Sequence, residues 1–120
     1  MKKQTTCPCG CGTNITPGFA LIREDIIKAT EKTPGFYYKS TSLARCAKHN
    51  KEIGGKPNSG HVRGVADDVE TLTSQARYAL IKVLILYGIT RIFINFERNI
   101  VHWDIGKQSD GYFQKCIGKD

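Results

Sequence analysis

Histidine, methionine and tryptophan are scarce in this chain: 3, 1 and 1 in 120 residues. Any imidazole-based site must therefore draw on His49, His61 and His102. Apolar runs are short as well. The best stretch, Ala79 to Tyr87, is interrupted by Lys82, which excludes a bilayer-spanning helix. Internal repeats and low-complexity tracts are absent. Acidic residues number 11 against 18 basic ones, so the formal charge is +7. That balance fits a solvated basic face, or attraction to a polyanion such as bacterial wall or nucleic acid. The five cysteines, Cys7, Cys9, Cys11, Cys46 and Cys116, are an odd number, which excludes a fully paired disulfide framework. The length suits one domain with a modest core, and 40% hydrophobic with 24% charged residues is a globular composition.

Punctuation along the chain sets the expected elements. The Cys-Pro-Cys-Gly-Cys-Gly opening reads as an irregular arm over residues 1–14. Thr16-Pro17 starts a helix, with Leu21, Ile22, Ile26 and Ala29 recurring at helical spacing and Pro34-Gly35 as its stop. Phe36 to Thr41 is expected as a strand. Cys46 to Ile53 suits a short helix closed by Gly54-Gly55, and Lys56 to Gly60 a loop. Gly54-Gly55 lacks the strand-to-helix context of a phosphate loop. Val65 to Val69 is expected as a strand. Thr73 or Ser74 caps a helix to about Tyr87, burying Ala76, Ala79, Leu80, Val83, Leu84 and Tyr87. Strands Arg91 to Asn95 and Ile100 to Ile105 follow, joined by a turn at Glu97-Arg98-Asn99. The sum is an α+β domain with a small, mostly antiparallel sheet.

Two of the histidines stand near carboxylates. His61 and Asp68 are seven residues apart, an odd separation that would put them on opposite faces of one continuous strand. A turn must intervene if they share a metal, and Gly64 is the residue able to supply it. His102 and Asp104 are two apart on a strand and face the same way. Two imidazoles and one carboxylate leave a fourth position open on a tetrahedral zinc ion, as catalysis requires. His49 is read as a hydrogen-bonding residue of its short helix, Trp103 as core or groove wall, and Asp67 as solvent-facing. The cysteines leave three readings open: a structural metal, one disulfide, or plain thiols.

The stretch Ser42-Leu43-Ala44-Arg45-Cys46, then His49-Asn50, Gly54-Gly55 and Ser59-Gly60-His61-Val62-Arg63-Gly64-Val65-Ala66-Asp67-Asp68, resembles the zinc D-Ala-D-Ala carboxypeptidase and L-alanyl-D-glutamate endopeptidase family, which is fold-related to the Hedgehog signalling domain. His102-Trp103-Asp104 matches that family's later His-x-Asp, and the cysteine-rich opening looks like that of many phage members. The resemblance implies a single zinc peptidase domain over 1–120, with one catalytic Zn²⁺ held by His61, Asp68 and His102. It implies that Arg45 binds substrate and steadies the oxyanion, and that Ser59 hydrogen-bonds the peptide. Many relatives carry an acid three positions before the last zinc histidine, where this chain has Asn99. Asp104 is the first choice for general base and Glu97 the second, with Asp104 alternatively orienting a ligand. The implied substrates are the stem peptides of peptidoglycan, cut by a hydrolase of the phage endolysin type. A monomer is expected, with no nucleic-acid or membrane partner. The polar Met-Lys-Lys start carries no signal-peptide pattern, so synthesis in the cytoplasm and release at host lysis is the expected route. A non-catalytic wall-binding module is the competing reading, and a nucleic-acid binder, betrayed by steep salt dependence, is a third.

Overall fold

The computed structural model describes residues 5–106, so Cys116 and the first four residues lie outside the described residues. The helices are α1 (Pro17–Thr30), α2 (Ala47–Glu52), α3 (Gly60–Arg63) and α4 (Ser74–Leu86). The strands are β1 (Ser40–Ser42), β2 (Ala66–Glu70), β3 (Arg91–Asn95) and β4 (Ile100–Asp104). Among the described residues the strands form one antiparallel sheet in the order β1-β2-β4-β3, so the architecture is α+β.

Local chemistry sets most of the boundaries. Thr16 caps α1 by accepting from the Phe19 N–H, and Pro17 occupies the first turn, where its missing N–H costs nothing. Thr73 caps α4 in the same way, accepting from Ala76 N–H. The β3–β4 turn places Asn99 at φ 56°, a left-handed position that asparagine tolerates.

The sheet has two chemically distinct faces. Asp67 lies opposite Trp103 and Val69 opposite Val101, and these residues point into the core beneath α1 and α4. The Phe19 and Trp103 rings pack there with centroids 4.9 Å apart, beside Ile26, Leu80 and Leu84. The intervening residues, Ala66, Asp68, His102 and Asp104, occupy the opposite face, because side chains alternate along a strand. The short helix α3 covers part of that second face. A Cβ on Gly60 would lie 3.0 Å from the Ala66 side chain, tighter than ordinary contact, so glycine eases this close approach.

Several sequence expectations change. The strand foreseen at 36–41 is only Ser40–Ser42, with an irregular register against Asp68 and Val69. Helix α1 ends at Thr30, before Pro34-Gly35, and its buried residues are Phe19, Arg23, Ile26 and Thr30, while Leu21 is 73% exposed. On α4, Tyr87 falls beyond the helix and is exposed, and Ala76 is half-buried. Asp67 is the largest correction. It is fully buried, accepting from Arg23 Nε at 2.9 Å, Tyr38 Oη at 2.6 Å and Ser40 Oγ at 3.0 Å. All three bonds fall on Oδ2, and the Arg23 guanidinium beside it offsets part of the cost of burying the carboxylate. Trp103, whose Nε1–H donates to Tyr38 Oη at 3.0 Å, is core.

Candidate metal centre

Strand pairing and one helical turn assemble the site. Asp68 and His102 are direct partners across β2 and β4, so the ladder itself brings their side chains together. His61 arrives from α3. Gly64 ends that turn in the left-handed conformation at φ 75°, and the chain reverses into β2. The turn required at Gly64 is thus present, as a helix end.

His102 Nδ1 lies 2.7 Å from Asp68 Oδ1, and His61 Nε2 lies 3.3 Å from the same oxygen. The three side chains each offer an atom, all within 4.8 Å of one another. The far nitrogens of both rings are occupied. His61 Nδ1 is 2.7 Å from the Leu43 carbonyl oxygen, which can only accept, so that nitrogen carries the proton. His102 Nε2 is 2.8 Å from Asp104 Oδ2. Arg91 Nε donates to the other Asp104 oxygen, and Phe93 lies edge-on to the His102 ring, centroids 5.5 Å apart.

This arrangement suits a cation. With their outer nitrogens protonated, His61 and His102 turn lone pairs toward an already anionic oxygen. Three acceptors so close repel unless a proton or a metal ion sits among them. Burial disfavours the charged form of His102, yet its hydrogen bonds to Asp104 and Asp68 outweigh that and raise it to about 9. Burial likewise pushes Asp68 up, and hydrogen bonds with His102 and His61 pull it well below the usual carboxylate range. Both shifts come from the hydrogen bonds that join Asp68 to the two rings and His102 to Asp104, and both favour positive charge beside Asp68. Outer partners such as Leu43 O and Asp104 fix tautomer and ring orientation, as around protein-bound zinc.

The centre opens into a cleft of about 530 Å³, lined by Arg45, Ser59 and Lys56 on one side and by Phe93, Phe96, Glu97 and Arg98 on the other. The Arg45 N–H donates to the His61 carbonyl at 3.1 Å, tying the two segments together. Ser59 caps α3, its Oγ accepting from His61 N–H at 3.1 Å. Asn50, almost fully buried, donates to the Lys56 carbonyl at 2.8 Å and shapes this wall. A Cβ on Gly55 would fall 2.1 Å from Asn50 Oδ1, which explains a glycine there. His49 is half-buried on α2, its N–H donating to Cys46 Sγ.

The sequence-predicted residues therefore divide. His61, Asp68 and His102 converge; Arg45, Ser59 and Glu97 line the cleft beside them. Asp104 does not face the cleft. It is 1% exposed and stands across the His102 ring from Asp68. Sequence reasoning missed Arg91, Phe93 and the Leu43 carbonyl. The even spacing of Arg91 and Phe93 on a strand was a usable signal for the first two, once β3 is known to pair with β4.

An α+β domain that gathers two imidazoles and a carboxylate at the floor of an open cleft has the design of a metal-dependent hydrolase. The Peptidase M15 family model matches residues 10–104, and the chain belongs to that family of metallopeptidases. No curated protein matches the chain.

Proposed function

We propose that the protein is a zinc-dependent peptidase of the bacterial cell wall, cleaving stem-peptide bonds of peptidoglycan as a lysis enzyme of the endolysin type. The observation that carries the proposal is the convergence of His61 Nε2, Asp68 Oδ1 and His102 Nδ1 beneath a cleft holding Arg45. Family membership, and a net charge of +7 facing an anionic wall, support it.

His61, Asp68 and His102 would hold the ion. When bound, it supplies Lewis acidity toward a carbonyl oxygen and lowers the pKa of water. The remaining work falls to side chains of this chain. The Arg45 guanidinium binds the substrate and faces the oxygen on which charge develops, a task for a permanently charged, multi-donor group. The Ser59 oxygen accepts from a backbone N–H, which leaves its hydroxyl proton for a substrate carbonyl or carboxylate. Asp104 keeps its proton partner, His102 Nε2–H, and so presents Nδ1 inward. That makes it a positioning residue, the second of its two expected roles. Glu97 is then the carboxylate in the cleft for general base: it takes a proton from the attacking water and returns it to the leaving amine.

The test is digestion of purified peptidoglycan, with mass spectrometry of the fragments and assay of new amino groups, with and without chelator. New stem-peptide termini that vanish with chelator are expected. Tight binding to the wall without new termini would instead make the domain a non-catalytic wall-binding module, a reading that Asn99 in the acid's usual place favours.

A further inference from the structure

Away from the cleft, four sulfur atoms gather where the N-terminal loop meets the head of α2. Cys7 and Cys9 Sγ are 3.4 Å apart, Cys9 and Cys46 3.6 Å, and Cys7 and Cys46 3.9 Å. Cys11 Sγ completes a set of four ligand atoms that all lie within 4.8 Å of one another. A disulfide would need about 2.05 Å between sulfurs. A tetrahedral zinc ion with Zn–S bonds of about 2.3 Å has sulfurs about 3.8 Å apart along each edge.

The loop is shaped for convergence. Along an extended strand, alternate residues stand about 6.6 Å apart, too far to share one ion. Here Gly10 at φ 85° and Gly12 at φ 93° curl the backbone, with Gly10 N–H donating to Cys7 O at 3.1 Å and Cys7 N–H to Thr13 O at 2.7 Å. Backbone donors also point at the sulfurs. Cys46 N–H meets Cys7 Sγ at 3.4 Å, and His49 N–H meets Cys46 Sγ at 3.3 Å. Cys7 is completely buried, so its sulfur is committed to this cluster. The fourth sulfur comes from 35 to 39 residues farther along, at the N-cap of α2.

We propose that Cys7, Cys9, Cys11 and Cys46 bind a second, structural zinc ion as a four-thiolate tetrahedron that clamps the N-terminal loop to α2. Binding displaces the thiol protons to solvent and involves no oxidation. The clamp grips the residue after Arg45, and so steadies the backbone that carries Arg45 to the cleft. It stands independently of the hydrolytic reading, because it needs none of the cleft residues.

The experiment uses the full chain, purified with a reductant, in a His61→Ala/His102→Ala variant that removes the other ion. Native mass spectrometry and metal analysis are expected to find one zinc per chain, against two in the parent. X-ray absorption is expected to show four sulfurs at about 2.3 Å. Cys46→Ser in this background is expected to lose the zinc, and Cys116→Ser to keep it. A metal-free double variant, a mass two hydrogens lighter, a nitrogen–oxygen shell, or zinc lost with Cys116 would each overturn the proposal. Should the double variant not fold, cobalt-loaded parent protein decides the matter. A thiolate-to-cobalt charge-transfer band is expected, and its absence would reject the site.

Discussion

Asp104 and Glu97 divide the carboxylate chemistry of the site by where they sit, one sealed behind a ring and one in the cleft. Their substitutions should separate cleanly. Glu97→Gln is expected to retain zinc and lose about 10²–10⁴-fold in kcat, the range for a general base. Asp104→Asn is expected to weaken zinc binding about 10–100-fold, as for other partners of metal-bound histidines. Metal titration of both variants beside steady-state kinetics distinguishes the roles, and a Glu97→Gln enzyme of full activity would return the base to another group. The proton on His102 gives a pH signature. Its pKa rises from the ordinary 6.5 to about 9 in the metal-free protein, so the bonds of His102 to Asp104 and Asp68 stabilise that form fully below 6.5 and lose this contribution as pH climbs through 9. Zinc must displace that proton. Between these values affinity should increase by about tenfold per pH unit and level off above. Competition titrations against a chelator of known pH dependence measure it, and a flat profile would contradict the assignment. At this scale the sequence was informative about His61, Asp68 and His102. It misplaced Asp67 at the surface, because nothing local reveals that an arginine 44 residues earlier is its partner.

Elements are held by a few backbone decisions, of which the reversal at Gly64 matters most to the site. A Cβ there would sit 2.8 Å from the Asn14 carbonyl, in a left-handed conformation at φ 75°. Gly64→Ala should therefore cost about 1–2 kcal/mol for the conformation alone, more for the clash, and displace His61. Thermal unfolding and zinc stoichiometry measured together are expected to fall together. An unchanged melting temperature would show that α3 reorients freely. Helix starts were legible in the sequence because caps are local: Thr16-Pro17 and Thr73 act within four residues. The one-turn helix α3 was not, since Gly64 marks only a reversal of the chain. The first strand was not. Three residues joined to β2 by an irregular register carry too little alternation to mark their limits. Nor was the inner face of α1, where Arg23 takes a core position that periodicity reserves for apolar residues.

Across the molecule, the sheet separates an apolar core that contains one ion pair from a face that gathers three candidate metal ligands. Arg23 and Asp67 face each other in the interior, their side chains 6% and 0% exposed. Asp67→Asn should destabilise the fold by about 3–5 kcal/mol, since it strands a buried guanidinium. Chemical denaturation is expected to show a lower midpoint while the proposed zinc-binding face, on the other side of β2, retains its affinity in the folded fraction. Loss of zinc affinity without loss of stability would invert this division. The α+β class and antiparallel sheet followed from the order of turn signals, whereas the partition of Asp67 and Asp68 between faces depends on which helices cover which side. Because Asp68 and His102 are neighbours on adjoining strands, the distance between them is governed by the ladder spacing. The Asp68–His102 part of the proposed cradle should therefore keep its dimensions when the ion is removed and restored. Exchange of one divalent ion for another should then proceed at the pace of ion dehydration, without waiting for any stretch of polypeptide to refold.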